Sequence, residues 1–199
     1  MHDPTNPSAL LQLRVTLERI EPPVWRRIVV PGHIHLGQLH DVIQCAMGWT
    51  DSHLHEFVVG ERRYGRPDWG LDDDGDRLYQ ERNAKLGKVV ERAGGRLLYS
   101  YDFGDDWRHE IVVEDVLAAD GAKPRAACLA GERACPPEDV GGVYGYAEFL
   151  EVIDDPSHEE HTHFVEWAGG AFDPNALDLE AVNVRLSNLA GRWRGPRSR

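Results

Sequence analysis

Two runs in which apolar and polar residues alternate, separated by a short turn, constrain this chain more than any other feature. The apolar or aromatic members of the two runs are Leu97, Tyr99, Tyr101 and Phe103, then Trp107, His109, Ile111 and Val113. A β-strand points successive side chains to opposite faces, so each run predicts a strand with one buried face. Gly104, Asp105 and Asp106 lie between the runs and favour a tight turn. The sequence therefore predicts a β-hairpin over residues 97–113.

The N-terminal part of the chain predicts more strands and one helix. Residues 11–17 alternate leucine or valine with polar residues, and residues 24–30 are rich in β-branched residues, so both segments predict strands. Between residues 36 and 49 the apolar residues recur at helical spacing, and Gly48 provides a helix end. Residues 53–59 predict another strand, and the Gly/Asp-rich segment 66–77 predicts a surface loop.

The rest of the chain is mostly helical in pattern. Residues 85–91 predict a short helix, whereas residues 120–142, rich in Gly, Pro and Ala, predict a long irregular segment. Helical spacing returns at residues 146–153 and 179–189, and residues 158–167 predict a polar helix. We therefore expect an α+β fold, with a mainly antiparallel sheet and helices packed on one side.

The length of 199 residues and the absence of a linker predict a single domain. We expect this domain over residues 11–190, with a flexible N-terminus over residues 1–10 and a flexible basic tail over residues 191–199. The start of the chain has neither a basic segment nor an apolar core of the kind found in signal peptides, and no stretch is long and apolar enough to cross a membrane. Together with an odd number of cysteines (Cys45, Cys128 and Cys135), this predicts a cytoplasmic protein with free thiols.

The charge balance argues against one class of partner. Lys and Arg number 22 against 34 Asp and Glu, a net charge of -12, and the acidic excess lies between residues 51 and 160. Affinity for nucleic acid comes largely from neutralised phosphates, so broad binding of duplex nucleic acid is not expected. The exception is the tail, where four arginines over residues 191–199 leave open an accessory role in nucleic-acid binding.

Three segments carry a resemblance to a known family. They are VWRRIVVPGHIHLGQLHDVIQCAMGWTDSHLHEF, YSYDFGDDWRHEIVVED and CLAGERACPPEDVGGVYGYAEFLEVIDDPSHEEHTHFVEWAGGAFDPNALD. In order and spacing they resemble the plasmid pRiA4b ORF-3-like family. The resemblance implies an α+β domain, often encoded on plasmids or near mobile elements, with no established activity. Members often carry a further cysteine where this chain has Val140, and this departure removes support for a cysteine-metal role shared with the family.

One candidate site is a divalent metal centre. Asp51, His53 and His55 share one face if residues 51–59 form a strand, and the hairpin adds Asp102, Asp105, Asp106 and His109. The set predicted to hold the metal is His53, His55, Asp102, Asp106 and His109. Two histidines and two carboxylates suit a divalent ion that activates water, as in a hydrolase or nuclease. The alternative, which turn chemistry favours, is that Asp105 and Asp106 are turn residues that cap nearby backbone amides, while the histidines are half-buried and hydrogen-bonded.

A second candidate is a binding rim without catalysis. PPEDVGG places Glu138 and Asp139 between two prolines and two glycines, which is typical of a rigid presenting loop, although Asp139 could instead cap the following helix. The residues predicted for this rim are Asp102, Asp105, Asp106, Trp107, His109, Glu138 and Asp139. We therefore expect a binding or interaction module that presents acidic and aromatic loops to a protein or small-ligand partner.

Overall fold

The alternating segments of the sequence form one eight-stranded sheet. The computed structural model describes residues 9–66, 77–90, 92–118 and 125–192. The strands are β1 (Ala9–Leu17), β2 (Trp25–Pro31), β3 (His55–Val59), β4 (Arg62–Gly65), β5 (Leu78–Gln80), β6 (Arg96–Tyr101), β7 (Trp107–Ala118) and β8 (Ala127–Glu132). Their order across the sheet is β5-β4-β3-β6-β7-β1-β2-β8, and β4 with β5 is the parallel pair. The remaining neighbours pair antiparallel.

Five helices accompany the sheet: α1 (Leu36–Met47), α2 (Leu86–Val89), α3 (Gly142–Asp154), α4 (His161–Trp167) and α5 (Leu179–Arg192). The first of them has clear ends. The His35 ring accepts a hydrogen bond from the Gln38 backbone while the Gln38 side chain accepts one from the His35 backbone, a reciprocal cap. Gly48 ends the helix in the left-handed conformation, with φ 100°.

One face of the sheet is packed and the other is polar. In β1, Leu11, Leu13 and Val15 are buried, whereas the residues between them are only half-buried. On that second face Arg27 hydrogen-bonds to Glu114. Helix α5 packs against α1 and β8. The predicted α+β fold with a mainly antiparallel sheet is confirmed.

The hairpin differs from its prediction at the turn. Strands β6 and β7 pair from Arg96 with Val112 to Tyr101 with Trp107, so the turn spans the five residues 102–106. Phe103, predicted on the buried face of a strand, therefore lies in the turn and is 42% exposed. The prediction placed it in the strand because an aromatic residue at this position continues the alternating pattern by one step.

Three strands were not predicted. Strand β8 lies inside the segment 120–142, for which the sequence predicted no regular structure, and pairs with β2 at the sheet edge. Strands β4 and β5 are only four and three residues long. Strands as short as β4 and β5 carry too few residues to show a period of two.

Other predicted bounds shift by a few residues. The strand predicted at 53–59 begins at His55, the helix predicted at 85–91 is Leu86–Val89, and the helix predicted at 158–167 begins at His161. The predicted loop lies largely outside the described residues, as do most of the predicted terminal segments. Within those segments, β1 already begins at Ala9 and α5 continues to Arg192.

Candidate functional site

Three separate segments meet where β3 begins and β6 ends. Antiparallel pairing of His55 with Tyr101 places the residues before β3 beside those after β6. The Asp102 backbone donates to the Leu54 carbonyl at 2.9 Å, which fixes that junction. The third segment, residues 136–141, is held because Trp49 Nε1 donates to the Pro136 carbonyl at 3.0 Å.

At this junction one imidazole faces three carboxylates. His53 Nε2 lies 3.0 Å from Asp139 Oδ1, 3.6 Å from Asp102 Oδ2 and 3.9 Å from Glu138 Oε2. We call these four residues the rim cluster. The Nε2 atom is buried yet makes no hydrogen bond with the described residues. The His53 side chain is 29% exposed and that of Asp139 is 69% exposed, so the cluster opens to solvent.

Glu138 is held by groups from two of these segments. Its Oε1 accepts from the Thr50 backbone at 2.7 Å, from the Thr50 hydroxyl at 3.1 Å and from the Tyr101 hydroxyl at 3.1 Å. Burial is the largest cause that raises the pKa of Tyr101 far above its ordinary value, and the neighbouring Glu138 carboxylate raises it further. Tyr101 therefore stays protonated and donates to Glu138.

Asp102 serves both the turn and the cluster. Its Oδ1 accepts from the Gly104 backbone at 2.9 Å and from the Asp105 backbone at 3.3 Å, a turn role that was predicted for Asp105 and Asp106 instead. Its Oδ2 faces His53 instead. Local turn chemistry therefore accounts for one of the two carboxylate oxygens.

The other aspartates of the turn have different partners. Asp105 Oδ2 accepts from the Gly141 backbone at 3.1 Å, which ties the turn to the loop before α3. The two segments pass so closely here that a Cβ at Gly142 would lie 2.5 Å from the Asp105 carbonyl. Asp106 pairs with Arg19 at 3.0 Å and with Arg108 at 2.8 Å, so its charge is compensated outside the rim cluster.

Of the residues predicted for the rim, Trp107 and His109 lie instead in the core, where both are buried. His109 Nδ1 lies 3.2 Å from the Tyr99 carbonyl, and burial lowers its pKa to about 4. Of the predicted metal set, the structure brings together His53 and Asp102 alone. His55, Asp106 and His109 lie elsewhere. His53 and His55 do not share a strand face, because β3 begins only at His55.

His55 belongs to a second group beneath the sheet end, which we call the buried histidine network. Its members are His40, Asp51, His55, Glu81 and Tyr99. The His40 and His55 rings stack with centroids 3.5 Å apart and planes 9° apart. His40 contacts the Tyr99 hydroxyl and Asp51 at 2.8 Å each, and His55 Nε2 contacts Glu81 at 2.8 Å.

The electrostatics of this network favour neutral imidazole beside carboxylate. Burial is the main cause that lowers the pKa of His55. Burial raises the pKa of Glu81, but the hydrogen bond from His55 and nearby positive charge lower it more, so it ends below its ordinary value. His55 therefore donates from Nε2 as a neutral ring to the ionised Glu81.

The network also offers three possible metal ligands, His40, Asp51 and His55, within 4.8 Å of one another. A bound metal lies in the plane of each imidazole that ligates it. Two parallel rings 3.5 Å apart cannot meet that requirement at one ion. The network therefore suits a structural hydrogen-bonded role, and the rim cluster is the better candidate site.

Sequence reasoning missed several residues of these two groups, namely Thr50, His40, Glu81, Tyr99 and Tyr101. The two tyrosines could have been found, because they occupy inward positions of the predicted hairpin and a buried hydroxyl needs a partner. His40 lies on the apolar face of the predicted α1 helix. Glu81 carried no signal, since it follows a segment without periodicity.

Comparisons with known proteins agree with this fold. The family model described as plasmid pRiA4b ORF-3-like protein matches residues 9–181. The uncharacterised protein y4hQ of Sinorhizobium fredii is 41% identical over 188 residues, covering 94% of this chain and 95% of its own length. The crystal structure of MM3350, a protein of unknown function from Methanosarcina mazei Go1, has a TM-score of 0.75 and 38% identity. The match covers 87% of this chain and 96% of that one.

Among the described residues, no helix is long and apolar enough to span a membrane. The family match spans the sheet, the hairpin turn and the loop before α3, and therefore includes every residue of the rim cluster. The chain belongs to the plasmid pRiA4b ORF-3-like family.

Proposed function

We propose that this protein is a binding module whose rim cluster holds a divalent cation through His53, Asp102 and Asp139. The observation that carries the proposal is the buried Nε2 of His53, which three carboxylates surround and none of them hydrogen-bonds. A buried polar atom without a partner is costly, and a cation on its lone pair removes that cost.

The spacing of the ligand atoms supports coordination. Metal–ligand distances of about 2.1 Å place neighbouring ligands about 3.0 to 3.4 Å apart. The separations of His53 Nε2 from Asp139 and Asp102 are 3.0 Å and 3.6 Å. The first of these separations falls within that range, and the second lies just above it.

Charge supports the same interpretation. No Lys or Arg of the described residues forms an ion pair with Asp102, Glu138 or Asp139, whereas Asp106 nearby has two arginine partners. Three carboxylates around one imidazole repel one another unless a cation lies between them. One nitrogen and two or three oxygen donors suit Mn²⁺, Fe²⁺ or Zn²⁺ better than a soft ion.

A cation there would join the hairpin turn to the loop before α3 and leave coordination positions open toward solvent. A carboxylate or phosphate of a partner can occupy such positions, which gives the acidic rim a way to bind an anionic group. This is the function that the geometry supports best.

A metal-dependent hydrolase is the second candidate. It is favoured by the position of Glu138, whose Oε2 lies 3.9 Å from His53 Nε2, close enough to accept a proton from water on a bound ion. Hydrolysis of bis(p-nitrophenyl) phosphate with Mn²⁺, lost in Glu138→Gln while Mn²⁺ still binds, would support this candidate. Absence of turnover by the Mn²⁺-loaded protein would leave the binding module.

Calorimetric titration of metal-free protein with MnCl₂ and ZnCl₂ tests the main proposal. We expect one site per chain, lost in Asp102→Asn and Asp139→Asn and unchanged in the control Glu148→Gln, which changes an exposed acid on α3. The amide oxygen introduced by Asp102→Asn can still accept the turn hydrogen bonds, so this variant keeps the turn. Equal binding by all four proteins would overturn the proposal.

The cellular setting belongs to the same proposal. A cytoplasmic location is supported by the three cysteines, none of which forms a disulfide. The resemblance adds an association with plasmids or mobile elements. Cell fractionation and the neighbourhood of the gene test these two points separately.

A further inference from the structure

A cationic cavity lies at the other edge of the sheet, beside β4, β5 and α2. It has a volume of about 540 Å³, and its lining includes Arg62, Arg77, Lys85 and Lys88. No carboxylate of the described residues lines it. In a chain with a net charge of -12, four cations around one cavity without a carboxylate form a local reversal of charge.

These cations have no anionic partner among the described residues. Arg63, next to Arg62 in the chain, pairs with Glu56 at 2.8 Å, whereas none of the four lining cations forms an ion pair there. A smaller adjoining cavity of about 270 Å³ shares Arg62 and Arg77 with it and does include Glu61. Within the described part of the chain, no carboxylate neutralises the four cations.

The fold brings two of these charges together. Parallel pairing of β4 with β5 matches Arg63 with Leu78, so Arg62 and Arg77 stand side by side at the start of the two strands. Both guanidinium groups lie over the Tyr79 ring, at 5.7 Å and 5.0 Å from its centroid. Stacking restrains planar guanidinium groups, which bind phosphate through two parallel hydrogen bonds.

A neutral polar group in the same wall also lacks a partner. The Oε1 atom of Gln80 is buried and accepts no hydrogen bond from the described residues. Because a buried acceptor without a donor is unfavourable, this atom favours a ligand that carries a hydroxyl or amino group beside its charge. The unpartnered Gln80 oxygen thus indicates a ligand independently of the four cations.

We propose that this cavity binds a small ligand that carries two or more phosphate groups, either a nucleoside diphosphate or a free oligophosphate. Its volume falls in the range of about 300 to 1,000 Å³ that is usual for small-molecule sites. Two arginines and two lysines match the charge of a diphosphate. The site shares no residue with the rim cluster, so the proposal does not depend on the metal.

Calorimetry with sodium pyrophosphate, ADP and adenosine, in metal-free buffer at low salt, tests the proposal. We expect pyrophosphate and ADP to bind and adenosine not to bind. Tighter binding of ADP than of pyrophosphate would identify a nucleotide as the ligand. Equal binding of the two would identify a free oligophosphate as the ligand. Adenosine binding as tightly as ADP would overturn the proposal.

Variants locate the site. Arg62→Gln and Arg77→Gln should each weaken pyrophosphate binding by about tenfold or more, because each removes a charge-assisted hydrogen-bonding group. The matched control is Arg82→Gln, an exposed arginine that does not line the cavity. Equal weakening by the control would reduce the effect to general surface charge and overturn the proposal.

A last variant tests an internal competitor. Asp72, Asp73, Asp74 and Asp76 precede Arg77 in the sequence and could supply carboxylates to the same cations. Pyrophosphate binding by the natural chain supports the proposal. Binding that occurs only after these four residues are changed to asparagine would overturn it.

Discussion

His53 and His55 stand two residues apart and lie in opposite chemical settings. His55 is fully buried, stacked on His40, and its Nε2 bonds to Glu81 at 2.8 Å. His53 opens to solvent, and its Nε2 faces three carboxylates without a hydrogen bond to the described residues. The difference arises because β3 begins at His55, so His53 lies in the preceding segment and is free to face the loop before α3.

Histidines and carboxylates can therefore either stabilise the fold or remain available to bind a ligand. In the buried histidine network the hydrogen bonds join partners that have left water, so its contribution should appear in the stability of the fold. In the rim cluster no Lys or Arg of the described residues offsets the negative charges, so its contribution should appear when an ion is added. Unfolding measurements with and without metal distinguish these two roles.

The largest effect should come from the buried histidine network. Glu81→Ala removes the acceptor of His55 Nε2 and leaves buried polar groups without it, so the free energy of unfolding should fall by about 4 kcal/mol. Glu81→Gln retains an acceptor and should lose clearly less. Urea unfolding measures both. A loss below about 1 kcal/mol for Glu81→Ala would contradict a structural role.

The second largest effect should be a loss of folding stability in acid, which arises because His109 is buried. In the folded state burial holds the pKa of His109 at about 4, and in the unfolded chain it is about 6.5. The unfolded state therefore binds the proton first as the pH falls. The contribution of His109 to the free energy of unfolding is fully present above about pH 6.5. It is lost as the pH falls from about 6.5 to 4, and the loss amounts to about 3 kcal/mol.

Urea unfolding across that range should show a smaller acid loss in His109→Leu than in the natural chain. The control is His163→Gln, which changes an exposed histidine of α4. If the natural chain and His109→Leu lose stability equally as the pH falls through that range, His109 does not carry the acid sensitivity.

Metal should stabilise through the rim cluster. A cation that binds the folded state alone, present at about one hundred times its Kd, adds about 2.7 kcal/mol. We expect a rise in Tm with Mn²⁺ or Zn²⁺ for the natural chain and for Glu148→Gln, and no rise for His53→Ala or Asp139→Asn. A full rise in His53→Ala would place the ion elsewhere.

The smallest effect is that of Asp139→Asn without metal. Asp139 is 69% exposed and pairs with the His53 ring, so its removal should change the free energy of unfolding by less than about 0.5 kcal/mol. Chemical unfolding in metal-free buffer measures this. A loss as large as that of Glu81→Ala would make the rim cluster structural and erase the comparison.

Much of the fold could be predicted because its long elements repeat a simple pattern. Strand β1 and the hairpin show the period of two, and α1 shows a helical stripe with a glycine end. Strand β8 has six residues, as β6 does, but its sequence ACLAGE does not alternate apolar and polar residues. The α+β class therefore followed from the interior of the sheet, and its edges did not.

The candidate site could be predicted only in part. Asp102, Glu138 and Asp139 stand out as carboxylates in turn or proline-rich contexts, and His53 stands out by its neighbours. Which of them meet depends on pairing between β3 and β6, whose residues are far apart in the chain. A shift of the strand start by two residues separated His53 from His55, and no local signal in the sequence encodes that shift.

The most direct test of the central claim is a histidine ring NMR spectrum, with ¹⁵N-labelled protein titrated with Zn²⁺ and the His53 resonances assigned by His53→Gln. A metal on the rim cluster should shift the Nε2 resonance of His53 at one equivalent and leave His40, His55 and His109 unchanged. A shift of His40 or His55, or no change at His53, would contradict the account.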